Sequence, residues 1–147
     1  MLAYWSVSSH LATARYIFKE NSILIPAAIL TFPFFSLNGS RFSNYSSIGT
    51  IILHEMSHAL DLNSSQFDGR GNLSSWSNHN DTIVYEHMVQ RLIQQICLIN
   101  KGFEDVHGHA EINEIFTDTT GLQIAASAAK LTSTHTARQF FFAWAKI

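Results

Sequence analysis

The apolar positions of this chain come in runs of different spacing, and each run predicts an element. Asn21 to Phe35 (NSILIPAAILTFPFF) is dense in branched and aromatic residues, while Pro26 and Pro33 exclude a regular helix. It reads as a buried extended segment ending in a turn or irregular stretch. Leu37 to Ser47 is polar around Asn38-Gly39 and predicts a loop. Ile48, Ile51, Ile52, Met56 and Ala59 then share one face, which predicts a helix from about Ser46 to Leu60. Asn63 to Asn78 is turn-rich, with Asp68-Gly69 and Gly71-Asn72. A second helix, capped by Asn80 or Asp81, carries Ile83, Val84, His87, Met88, Leu92, Ile96 and Ile99 at helical spacing, with Gly102 to close it. A third is predicted over about Ala110 to Leu131 and a last one near Thr136 to Ile147. The last stops on Phe140, Phe141, Phe142 and Trp144 without a capping signal, so the chain reads as cut off.

Composition narrows the class. A length of 147 residues, 46% apolar and 14% charged, describes one globular domain's worth of chain. The net charge of -2 and the scattered nine Lys and Arg give no support to a nucleic-acid partner. Cys97 is the single cysteine, which excludes an intrachain disulfide. Five Asn-x-Ser/Thr triplets, at Asn38, Asn44, Asn63, Asn72 and Asn80, point instead toward a secretory history. Met1 to Tyr16 lacks the pattern of a signal peptide. The most apolar run, Ile23 to Phe35, is too short to span a bilayer, so no membrane segment is predicted.

Candidate chemistry sits in HEMSH, His54 to His58. Histidines at i and i+4 lie one turn apart on a helix face, so both imidazoles can reach one ion. Glu55 is rotated by about 100° from His54, beside such an ion and not among its ligands, where a carboxylate can take a proton from activated water. A catalytic zinc needs a third protein ligand. Glu114 is the best candidate, because EIFTD puts Asp118 one turn further on, able to accept a hydrogen bond from a ligand histidine. Asp61 can do the same for His58. Glu111, His107 and His109 are rival third ligands, the HGH pair lying in a predicted loop. Without a metal the same residues would be hydrogen-bonded core histidines and a solvated helix face.

NSILIPAAILTFPFF, IGTIILHEMSHALD, FDGRGNLSSW, EIFTDTTGL and RQFFFAWA occur in this order between about Ala12 and Trp144. In these motifs the chain resembles the neprilysin and endothelin-converting-enzyme family of zinc endopeptidases. The resemblance implies an α+β, mainly α-helical fold, a thermolysin-like zincin catalytic lobe with a small N-terminal sheet, here incomplete at the C-terminus. Residues 1–147 would then be a single catalytic-domain fragment. It implies one zinc ion per chain held by His54, His58 and Glu114, with Glu55 as catalytic base and Asp118 and Asp61 as supporting carboxylates. Peptides would be the substrates, and the location the outer face of the plasma membrane or the secreted space.

The departures from the family are specific. Thr13-Ala14 stands where the family has an Asn-Ala pair that aligns the substrate backbone. Ile115 replaces the usual Asn after the third ligand, and the family's cysteine aligns near Arg91 instead of Cys97. The family also has a histidine and an arginine beyond the final aromatic segment, and this chain ends at Ile147. Two readings follow: a zinc metalloendopeptidase working through Glu55, or a catalytically impaired zinc-binding or interaction domain derived from one.

Overall fold

The computed structural model describes residues 8–61, 63–74, 77–99 and 109–147. A short hairpin comes first: β1 (Arg15–Ile17) pairs antiparallel with β2 (Ser22–Leu24), Tyr16 opposite Ile23. Asn21 turns the corner at φ 45, a left-handed conformation that Asn tolerates better than most residues. Its side chain accepts from the Tyr16 hydroxyl and donates to the Gly69 carbonyl. The loop 67–73 thereby docks under the turn, with the Phe18 and Phe67 rings 4.7 Å apart. Gly71 is required there, because its φ is +76 and any side chain would overlap the Lys19 carbonyl. Within this loop the Asp68 carboxylate accepts from the backbone N–H groups of Asn72 and Arg70.

The segment expected to be extended and to end in a turn or irregular stretch is a strand only over Ser22–Leu24. Beyond it the prolines remove donors, and the chain turns through a 3-10 turn at Ala27–Ile29. Pro26 and Ile29 are buried, whereas Leu30 and Phe32 are exposed.

The expected loop from Leu37 to Ser47 is helical from Arg41 onward. Ser40 caps α1 (Arg41–Asn44) by accepting from the Ser43 N–H, and a π-helical turn (Tyr45–Gly49) leads into α2 (Thr50–Ser57) and a 3-10 turn (His58–Leu60). The composition looked polar because the polar groups are consumed locally. Asn44 accepts from the Ser36 N–H and donates to the Ser36 carbonyl, at 3.1 and 2.8 Å. Its side-chain amide is thus committed to the fold, unlike a free glycan acceptor.

Of the apolar face expected for α2, Ile48 is buried, Ile51, Ile52 and Ala59 are half-buried, and polar residues make up most of the buried side. Ser46, Ser47, Ile48, Thr50 and Ser57 are buried, while Met56 is 52% exposed. The hydroxyls donate to carbonyls one turn back (Ser47 to Ser43, Thr50 to Ser46, Ser57 to Leu53), so none is stranded in the interior. This face meets α4 (His109–Ala129), whose row Asn113, Thr117, Gly121 and Ala125 is buried at every fourth position. At Gly121 a Cβ would lie 2.7 Å from the His54 backbone nitrogen and 3.1 Å from the Thr50 carbonyl.

α3 (His79–Ile99) is capped by Asn78 in a reciprocal pair with Asp81, one residue pair earlier than the Asn80 or Asp81 cap expected from sequence. Val89 of this helix is buried, but Val84 and Met88 are exposed. Gly102 lies outside the described residues. α4 starts one residue early and stops before Lys130, at φ 51. α5 (Thr134–Trp144) begins at a Ser133–Thr136 capping box. Its Phe140 is fully buried against Ala125 and Ala129, with Phe42, Leu53 and Leu122 around them. The architecture is therefore mainly helical α+β, with one two-stranded sheet among the described residues.

Two outcomes are expected. Gly121→Ala, which in an open helix would stabilise by about 1 kcal/mol, should here destabilise by about 1–3 kcal/mol through overpacking, read as a lower urea midpoint. Asp68 is held below the usual carboxylate range by the Asn72 and Arg70 amides. Its support of the loop is present above its unfolded value of about 4 and is lost as pH falls through the lower folded value. Amide exchange at Arg70 and Asn72 should report that loss, and Asp68→Asn should remove the pH dependence.

Candidate metal centre

Close helix packing brings His54 and His58 opposite Glu114. The His54 Nε2 lies 3.3 Å from Glu114 Oε2, and the His58 Nε2 lies 3.7 Å from Glu114 Oε1. The imidazoles stand edge to face, 4.9 Å between centroids. One ligand atom from each of the three residues falls within 4.8 Å of the others. Among the described residues this is the one group able to hold a metal ion.

Each imidazole is held from behind. His54 Nδ1 donates to Asp118 Oδ1 at 2.8 Å, and His58 Nδ1 donates to Asp61 Oδ2 at 2.9 Å. That tautomer leaves both Nε2 lone pairs facing Glu114, the arrangement a metal requires. The hydrogen bond to Asp118 raises the pKa of His54 against the opposing effect of burial. The hydrogen bond to Asp61 does the same for His58. Protons therefore compete for these nitrogens at higher pH than for free imidazole.

The two supporting carboxylates differ. The Asp61 side chain is 6% exposed and the Asp118 side chain 72%. Burial works to raise the pKa of Asp61, but His58 and the backbone N–H groups of Ser64 and Asn63 together hold it below the usual range. Glu55 is buried, at 8% exposure, and lines the same cleft of about 480 Å³ as the two histidines and Glu114. Thr13 and Ala14 line the cleft from the hairpin side, where the Thr13 hydroxyl donates to the Ala14 carbonyl at 3.2 Å.

Of the rival third ligands, Glu111 is exposed on α4 outside the three-residue group, and His107 lies outside the described residues. His109 opens α4, where a loop had been expected. Sequence reasoning missed Thr117, which is fully buried with its hydroxyl oxygen 3.5 Å from His54 Nε2. Its signal was its place in the 113, 117, 121, 125 row, small or polar residues at helical spacing.

The sequence model of peptidase family M13 matches residues 13–147. The chain belongs to peptidase family M13. It is 37% identical over 143 residues to a neutral endopeptidase of Lactococcus lactis subsp. cremoris, covering 97% of this chain and 23% of that protein. It is 29% identical over 124 residues to mouse (Mus musculus) endothelin-converting enzyme 1, covering 84% of this chain and 16% of that protein. Among solved structures, PepO of Lactobacillus rhamnosus superposes with a TM-score of 0.85 at 28% identity, over 97% of this chain and 23% of that one. The zinc metalloprotease Zmp1 of Mycobacterium tuberculosis, in complex with an inhibitor, gives 0.82 at 29% identity, over 97% and 24%. This chain thus spans about a quarter or less of the length of these M13 relatives. The resemblance to neprilysin and endothelin-converting enzymes is borne out, M13 is a family of zinc metalloendopeptidases, and zinc is the cofactor that goes with this family and with a His, His, Glu donor set.

Replacing either supporting carboxylate should weaken zinc binding by about tenfold to a hundredfold. Asp61→Asn should cost more than Asp118→Asn, because Asp61 is buried and also ties down two backbone amides. Competition with a chromophoric chelator at neutral pH would rank them, and the reverse order would contradict the assignment.

Proposed function

We propose that this chain is the zinc-binding part of an M13 metalloendopeptidase that hydrolyses peptide bonds. The observation that carries the reading is the convergence of His54, His58 and Glu114, each histidine braced by a carboxylate, beside a buried Glu55 in one cleft. The donor chemistry fits zinc: two neutral imidazole nitrogens and one carboxylate, with space in the cleft for a further group. When bound, the ion would supply Lewis acidity, polarising a carbonyl and acidifying water.

The chain's residues divide the remaining work. His54, His58 and Glu114 would hold the ion, and Asp118 and Asp61 would keep the imidazole Nε2 lone pairs aimed at it. Glu55 accepts a proton from the attacking water on its carboxylate and delivers it to the nitrogen of the departing amine. Its burial favours that exchange, since a carboxylate shielded from bulk water hands the proton on without first losing it. Backbone groups near Thr13-Ala14 align the peptide. A location outside the cytoplasm, at a cell surface or secreted, goes with this reading through the family resemblance. No helix among the described residues is long and apolar enough to cross a membrane.

A second reading, a catalytically impaired zinc-binding or interaction domain, draws its support from Thr13. Its hydroxyl is engaged by the neighbouring Ala14 carbonyl, so it does not reach out as a longer amide would. Two variants separate the readings. One zinc per chain by native mass spectrometry, lost in His58→Ala and kept in Glu55→Gln, is expected for both. Peptide cleavage that falls at least a hundredfold in Glu55→Gln supports the peptidase; zinc binding without any Glu55-dependent cleavage supports the impaired domain.

A further inference from the structure

The proposed peptidase site leaves one charge unexplained. Arg15, in β1, lines the same cleft as Glu55, His58 and Glu114, and no other Lys or Arg does. Of the three carboxylates that line the cleft, Asp61 and Glu114 already have partners, and Glu55 is buried and forms no ion pair with Arg15. Asp61 is taken by His58 and two backbone amides, and Glu114 faces the two histidine Nε2 atoms. Among the described residues no carboxylate lies within ion-pair distance of the Arg15 guanidinium, and no hydrogen bond engages its side chain.

A guanidinium is a planar fork of donors suited to bidentate carboxylate recognition. On open surface such a group is satisfied by water and adds little. Arg15 is exposed at the wall of a cleft of about 480 Å³, so a peptide docked there covers it and displaces that water, and an unpaired cation then discriminates by charge. Arg15 also follows directly on Thr13-Ala14, so its position along a bound peptide is fixed by the same stretch of backbone.

We propose that Arg15 is a specificity residue that selects peptides presenting a carboxylate in this cleft. The proposal rests on the peptidase reading for the identity of the ligand but not for its test. The carboxylate has two possible sources, an internal Asp or Glu side chain or a free peptide C-terminus, and the chemistry of recognition is the same.

Binding of fluorescent peptides of one length to the zinc-loaded chain, followed by anisotropy, tests it. A Glu-for-Gln scan carrying an amidated terminus isolates the side-chain source, and free against amidated termini isolate the other. One acidic peptide should bind about threefold to tenfold more tightly than its neutral twin. Arg15→Gln should abolish that preference without weakening the neutral peptide, Arg15→Lys should keep part of it, and added salt should reduce it. Equal binding of all twins, or a preference that survives Arg15→Gln, overturns the proposal. The peptidase reading fails on different results, absent zinc or absent cleavage, and an Arg15-dependent preference in a chain that cleaves nothing would sustain this proposal alone.

Discussion

The distance between α2 and α4 governs the metal centre, and at Gly121 it is too small to admit a side chain. The candidate ligands His54, on α2, and His58, in the 3-10 turn that continues it, are one turn apart; on α4 Glu114 and Asp118 are one turn apart. Two such rows meet only if the helix backbones come close enough for a carboxylate to reach across. Gly121 permits this by leaving no side chain over the His54 backbone. Thr50 and Ser57 permit it from the other side, since their hydroxyls fold back onto their own helix. Larger apolar residues at these positions would bury more area but would separate the rows, and the His54 imidazole would lose Asp118. Here close approach outweighs hydrophobic burial.

The two braces on the histidines respond to different parts of the molecule. Asp61 is three residues from His58 and is oriented by amides next to it in sequence, so this half of the site is local. Asp118 is on another helix and exposed, so the half around His54 depends on how α2 and α4 pack. Strain at the helix crossing would reach His54 first. Thr117 adds to that coupling, because it is buried between the helices and touches the His54 ring edge.

Much of the site was legible in the sequence because its rule is local. The His54, Glu55, His58 spacing needs only a helix, and a helix formed there. Glu114 and Asp118 were legible by the same one-turn rule, and the family motifs carried their pairing with the histidines. The buried face of α2 was misread because periodicity counts apolar residues, and here the interface is built from Ser, Thr and Gly. The helix start at Arg41 was hidden for a related reason: the polar residues that suggest a loop are those that cap and staple the helix, Ser40 and Asn44. Where the extended part of the run to Phe35 gives way to a turn was not legible, because composition does not reveal whether a partner strand exists, and pairing ends at Leu24.

The remaining wall of the cleft explains a motif that carries no chemistry of its own. FDGRGN lies far from the ligands in function, yet its loop supports the hairpin that bears Thr13 to Phe18. Asp68 gathers the loop amides, Gly71 lets the chain pass against Lys19, and Phe67 meets Phe18. Asn21 joins the two pieces by bonding both Tyr16 and Gly69. A two-stranded hairpin is marginal on its own in water, so a hairpin that forms one wall of the cleft needs such a base. The cleft is thus set from two sides, by small residues that let helices close and by a turn that holds a strand across from them.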